Sequence, residues 1–179
     1  MLMTYNELVD LADNGVISPV SLDRINAASI DVTLGQYIWR EDPRGGVVDL
    51  MHKQVPGMYR YDLQDGPFDL SPGEFILAST AETFNLPDDI SAEFRLKSSG
   101  ARAGLDQSLA VWCDPGWHGS VLTLELRNLL YSHNLRLTIG MPIGQMVFWR
   151  GEPVPVEASY ASRGQYNDDN VAQPSKGLR

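Results

Sequence analysis

The feature that most restricts how this chain can fold is alternation. In Ile30-Asp31-Val32-Thr33-Leu34, and again in Leu122-Thr123-Leu124-Glu125-Leu126, apolar and polar side chains change places at every residue. That is the period of a strand with one buried face. Further runs with strand character lie at 46–50, 74–79, 90–96, 120–128, 135–139 and 143–149, parted by Pro56-Gly57, Ser71-Pro72-Gly73, Pro115-Gly116 and Gly140-Met141-Pro142. Many short strands joined by tight turns suit a closed or double-sheet body that hides its edges. One helix is expected before them: Thr4 and Glu7 have the spacing of a capping box, and Leu8 and Leu11 share a face ahead of Gly15. The chain thus divides into a mainly β domain with an N-terminal helix, residues 1–152, and a tail, 153–179. The tail is rich in Pro, Ser, Asn, Asp and Gly, and such a composition cannot fold alone. It reads either as a loose terminus or as a flap that orders over a ligand.

Charge narrows the function classes. With 14 Lys+Arg against 23 Asp+Glu the formal net charge is −9, which argues against a nucleic-acid polymer as partner, since such binding rests on a basic face. A single cysteine, Cys113, rules out an internal disulfide and fits a reducing compartment, so a cytoplasmic location is expected. The N-terminus lacks the basic start and apolar run of a secretory signal, and no apolar stretch approaches the ~18 residues of a membrane span.

Two places could carry chemistry. Arg95-Leu96-Lys97-Ser98-Ser99-Gly100-Ala101-Arg102 surrounds two hydroxyls and a glycine with three cations, which is the donor set of an anion cradle and equally that of a solvated turn. Glu125 shares a strand face with Val121, Thr123 and Arg127. If that face meets a pocket, desolvation would raise its pKa and suit it to proton transfer; otherwise it is a surface carboxylate beside Arg127. The histidines His52, His118 and His133 have no cysteine or carboxylate at ligand spacing, so zinc is not expected. A zinc-dependent nucleobase deaminase needs its Pro-Cys-x-x-Cys element, and one cysteine cannot supply it.

Taken together, Arg24 to Gly35, Lys97-Ser98-Ser99-Gly100-Ala101-Arg102-Ala103-Gly104-Leu105, Asp114-Pro115-Gly116-Trp117-His118-Gly119, Leu122 to Asn128 and Gly140-Met141-Pro142-Ile143-Gly144-Gln145 resemble the ordered motifs of the dCTP deaminases, members of the dUTPase-like superfamily. The resemblance implies a homotrimer of distorted β-barrel or jelly-roll-like subunits, with active sites shared between chains. It implies zinc-independent hydrolytic deamination of a deoxycytidine nucleotide, Mg²⁺ being carried on the triphosphate. By position, Glu125 would be the general base, Ser98 and the Ala110 carbonyl would hold the attacking water, and Arg102 would organise the site. Lys97, Ser99, Gly100 and Ala101 would meet the phosphates, Asp114 the sugar, and Thr123, Leu124 and Glu125 the cytosine. Gln145, Tyr160, Gln165, Tyr166 and Asp169 would lie on the phosphate side or in the closing tail.

Five departures from the family pattern bear on recognition. Lys97 replaces an arginine, and Gln107-Ser108-Leu109-Ala110 replaces His-Val-Thr-Ala. One extra residue after Gly119 implies a bulge, Gln165-Tyr166 replaces Lys-Tyr, and Asp169 replaces a glutamine. These changes leave the catalytic set in place and suggest a modified substrate, such as a 5-substituted nucleotide or one with fewer phosphates. A bifunctional enzyme that continues to dUMP, or a non-catalytic nucleotide binder on the same scaffold, are the alternatives.

Overall fold

The computed structural model describes residues 1–108 and 110–178. In chain order its elements are α1 (Tyr5–Asp13), β1 (Ile17–Ser18), a 3-10 turn (Leu22–Arg24), β2 (Ile30–Thr33), β3 (Tyr37–Glu41), β4 (Met58–Asp62), β5 (Phe68–Leu70), β6 (Phe75–Asn85) and β7 (Ile90–Leu96). There follow α2 (Ser98–Arg102), β8 (Leu105–Gln107), β9 (Trp112–Cys113), β10 (His118–Asn128), β11 (Leu135–Leu137), β12 (Pro142–Arg150) and α3 (Tyr160–Arg163). Two antiparallel sheets dominate. One runs β4-β3-β6-β10-β8 with β1 added to β6, and the other runs β2-β12-β7-β9. A β5-β11 pair stands apart from both.

The alternation read from the sequence sets the inner faces. Ile30 and Val32 of β2 are buried while Asp31 and Thr33 are half-buried. Along β10, Leu122, Leu124 and Leu126 enter the core while Thr123 and Glu125 face away from it. Phe94, Met146 and Phe148 of the second sheet meet Ile38, Ile76, Ala78 and Phe84 of the first in one core cluster. Helix α1 adds Leu8 and Leu11 to that cluster, and at its start the Thr4 amide donates to the Glu7 carboxylate at 3.0 Å.

Three expectations need correction. Residues 46–50 form no strand: Val47 is 86% exposed, Gly45 and Gly46 hold φ of +71° and +142°, and Asp49 accepts from the Met51 and His52 amides in a local turn. With no neighbouring strand to pair with, the valines there have nothing to pack on. Ser98–Arg102 form the short helix α2, with Lys97 at its N-cap, rather than a strand-to-strand turn. The loose-terminus reading of the tail fails as well, because the tail uses the surface of β10 instead of a core of its own. Val121 donates to the Asp169 carbonyl at 2.9 Å, Gln173 donates to Thr123 Oγ1 at 3.0 Å, and Ala172 is fully buried. A bulge does occur, but at Gly119 rather than after it: His118 pairs with Asn85 and Ser120 with Phe84, so Gly119 is itself the extra residue on β10. Its φ of +66° and the closeness of Asp168, whose Oδ1 would lie 2.2 Å from an added Cβ, leave room only for glycine.

A polar group also sits deep in the body. Glu82, 1% exposed, receives the Arg24 guanidinium, the Thr33 amide at 3.1 Å and the Thr33 hydroxyl at 2.9 Å. It joins β6, β2 and the 3-10 turn, and removing one partner of a buried pair costs about 3–5 kcal/mol. Glu82→Ala should therefore lose stability on that scale, seen as a lower urea midpoint with an unchanged slope.

Candidate active site

The outer face of the larger sheet opens into a cavity of about 450 Å³, a size common for small-ligand sites. Pairing decides what lies beside Glu125. On β6, Leu77 is its cross-strand partner and Phe75 is the partner of Arg127, so two apolar side chains flank the carboxylate on one side. Met58 and Pro56 extend this wall, and Val121, Leu122 and Trp117 line the other end. The polar groups on the lining are Asp114, Thr123, Glu125, Tyr160, Tyr166, Asp169, Gln173 and Ser175.

Glu125 is half-buried here, and desolvation pushes its carboxyl above the ordinary value of 4.5. Two contacts oppose that shift: Gln107 Nε2 donates to Glu125 Oε2 at 2.7 Å, and the main chain of Glu125 itself adds a weaker one. The surface-carboxylate reading, with Arg127 as partner, does not hold, since the side chain's hydrogen bond is to Gln107. Burial likewise raises the Tyr160 hydroxyl. Asp114 is exposed and accepts from the Trp112 indole at 2.9 Å. Cys113 is buried, and its thiol is pushed far up by desolvation and stays protonated.

The tail forms one rim. The Tyr166 carbonyl accepts from Trp117 Nε1 at 2.7 Å and from the Ser120 hydroxyl at 3.0 Å. The Asp169 amide donates back to Ser120 Oγ at 3.0 Å. Lys176 lies over the Tyr166 ring at 4.4 Å, reaches Asp169 at 3.3 Å and donates to the Gln165 carbonyl at 2.7 Å.

The residues singled out in the sequence therefore separate into two sets. Ala110, Asp114, Thr123, Glu125, Tyr160, Tyr166 and Asp169 meet in one cavity. Lys97, Ser98, Ser99, Gly100, Ala101, Arg102, Gln145 and Gln165 do not line it. Ser98, Ser99, Ala101 and Arg102 lie on the exposed side of α2. Leu124 points into the core and is fully buried, so only its main chain could touch a ligand. Gln145 accepts from the Ser29 hydroxyl at 2.8 Å on the other sheet. The three-cation cradle is also largely neutralised within the chain. Arg95 pairs with Glu93 at 2.5 Å and Lys97 with Asp31, which leaves Arg102 as the cradle's cation without an ion pair among the described residues. Leu109, one of the departures in the base-side loop, lies outside the described residues. Among them, no group of three or more His, Cys, Asp or Glu could hold a metal ion, and no helix is long and apolar enough to cross a membrane.

Comparison with known proteins fits this arrangement to a family. The model of a family described as dCTP deaminase-like matches residues 2–151. The chain belongs to the dCTP deaminase-like family. It is 40% identical over 168 residues to a protein of Acidothermus cellulolyticus named dCTP deaminase, dUMP-forming, covering 90% of this chain and 86% of the relative. A protein of Methanoregula boonei with the same name is 35% identical over 161 residues, covering 89% and 87%. Among solved structures, the 2'-deoxycytidine 5'-triphosphate deaminase of Agrobacterium tumefaciens aligns with a TM-score of 0.66 at 20% identity over 84% of this chain and 48% of that one. The fold of this deaminase-like chain is thus mainly β, and it is shared with that deaminase.

Sequence reasoning missed Gln107 as the partner of Glu125, the apolar wall from Pro56 and Met58, and Gln173 with Lys176 on the rim. The only available signal was the departure at Gln107, because pairing between distant strands leaves no local pattern.

Two outcomes follow from the geometry. Because the folded carboxyl of Glu125 is raised, its contribution to stability is fully present below the unfolded glutamate value and is lost as pH rises through the folded one. Glu125→Gln in this deaminase-like chain should raise the melting temperature in mildly alkaline buffer, and the gain should vanish below about pH 4.5. Gly119→Ala should push Asp168 away, speed limited proteolysis of the tail, and cost about 1–2 kcal/mol in stability.

Proposed function

We propose that this protein hydrolyses the 4-amino group of dCTP, giving dUTP and ammonia, with Glu125 as the general base. The observation that carries the reading is a half-buried carboxylate with a raised pKa, set against apolar walls in the one cavity that gathers Asp114, Thr123 and the tail tyrosines, within a chain of the dCTP deaminase-like family. A base whose pKa is lifted toward working pH is the more effective proton carrier.

Glu125 takes a proton from water as its oxygen bonds to C4. That proton passes to N3 and stays there, and the hydroxyl proton of the adduct at C4 passes to the departing amine, so cytosine and water become uracil and ammonia. Thr123, the main chain at Leu124, and Glu125 face the base, and Asp114 faces the sugar. Tyr160, Tyr166, Asp169 and Gln165 lie toward the phosphates, with Gln145 closing behind them. Ser98 and the Ala110 carbonyl hold the water, and Arg102 balances charge. The triphosphate meets Lys97, Ser99, Gly100 and Ala101. Mg²⁺ enters on the triphosphate, whose oxygens are the hard donors it takes.

A homotrimer completes this site. What supports sharing is that Ser98 and Arg102 are exposed on α2, away from their own chain's cavity, and a neighbouring copy can bring them to it. Residues 153–179 act as the flap, and the compartment is the cytoplasm.

A second reading carries the reaction on to dUMP and pyrophosphate. It is favoured by the name "dUMP-forming" carried by the relatives from Acidothermus cellulolyticus and Methanoregula boonei. Product analysis across dCTP, dCMP, dUTP and 5-methyl-dCTP, with and without Mg²⁺, separates these readings: ammonia with dUTP supports the first, and dUMP with pyrophosphate the second. No ammonia from any cytosine nucleotide would overturn both.

Glu125→Gln should lower kcat at least about 100-fold while nucleotide still binds. Mixing Glu125→Gln with Arg102→Ala chains, each inactive alone, should restore about a quarter of wild-type activity if sites lie between copies. No recovery would refute the shared site.

A further inference from the structure

Gln107 is the side chain that reaches Glu125, and its surroundings give it a definite task. The side chain is 8% exposed at the end of β8. The neighbouring backbone is fixed to β10, because the Ser108 amide donates to the Glu125 carbonyl at 3.0 Å. Gln107 Nε2 donates to Glu125 Oε2 at 2.7 Å, while Gln107 Oε1 is buried without a hydrogen-bond partner among the described residues. A buried acceptor left empty is costly, and native structures fill such positions.

The other groups near Glu125 do not offer an alternative anchor. Asp114, Asp169, Tyr160, Tyr166 and Cys113 share the cavity lining, and none of the described lining residues is cationic. Arg127, two residues along β10, is exposed, and its strand neighbours across β8 and β6 are Asp106 and Phe75. The walls from β6 and β4 are Leu77, Phe75 and Met58, which have nothing to donate. Lys176 is taken up by Asp169 and the Gln165 carbonyl. Gln107 is therefore the side chain that decides how the carboxylate sits and how strongly it holds a proton.

We propose that Gln107 is the positioning residue for Glu125, holding Oε2 so that Oε1 is the oxygen that takes the proton, while its own buried Oε1 is filled by an ordered water. This rests on the role given to Glu125 above. An amide performs the task with no titration of its own, so a single ionisation governs the acid limb of the activity profile. A charged imidazole in the same place would add a second one.

Two measurements test it together: the pH dependence of kcat/KM for ammonia release from dCTP, and the protonation midpoint of the Glu125 carboxyl by infrared difference spectroscopy, assigned with Glu125→Gln. Gln107→Met keeps the side-chain length and removes the donor. Its acid limb and carboxyl midpoint should both move up by about one pH unit, with roughly a tenfold activity loss at low pH and recovery in alkaline buffer. Gln107→His restores a donor and should bring both back toward wild type. If Gln107→Met does not fold, Gln107→Glu keeps the shape, and like charge should raise the midpoint at least as far. An unmoved carboxyl midpoint in either variant, with activity reduced equally at all pH values, would overturn the proposal and leave Gln107 a packing residue. If the wild-type protein releases no ammonia yet the midpoint still moves, the positioning stands and the assigned reaction fails.

Discussion

The antiparallel pairing of β6 with β10 is the constraint on which the rest of the molecule depends. These are its two longest strands, eleven residues each, and they cannot stay in register along their whole length. One residue too many on β10 at Gly119, and a detour on β6 between Ser79 and Thr83, bend the ladder near one end. Beyond the bend the strands run regularly, and Glu125 lies across from Leu77. The bent end turns its amides outward, where Val121 and Asp169 exchange a main-chain hydrogen bond that a flat sheet would have given to another strand. The cavity lies along the outer face of this strand pair, with the tail forming one rim.

Electrostatics follows from that geometry rather than from the net charge. An acidic chain can hold an anionic nucleotide only where its cations converge, and here most are already paired within the subunit: Arg24 with Glu82, Arg95 with Glu93, Lys97 with Asp31 and Lys176 with Asp169. The cavity itself presents carboxylates and hydroxyls. The lining supplies no cation of its own, and Arg102 lies exposed on α2 outside it. The apolar wall has the opposite effect on Glu125, removing water from it and making the neutral acid accessible. Gln107 then restrains that shift.

Much of this was legible in the chain. The alternation at Ile30–Leu34 and Leu122–Leu126 needs no partner to be recognised, because a side chain's face in a strand depends only on its own position. The extra residue near Gly119 was countable against the family motif, and the bulge follows from the count. Other parts were not legible. β3 and β4 carry Arg40, Glu41, Arg60 and Asp62 in short runs, so their strand character comes from pairing with each other and with β6. Residues 46–50 have the composition of a strand without a neighbour to make them one.

By itself, then, the sequence determined the fold class and the family motifs, because periodicity and ordered motifs are local properties. Tertiary structure alone decided that Gln107 faces Glu125 and that Phe75 and Leu77 dry it. It also decided that the tail lies on β10 and that the Lys97–Arg102 segment falls outside its own chain's cavity. Those outcomes depend on register between strands far apart in the chain, and a shift of one residue would have reversed every face.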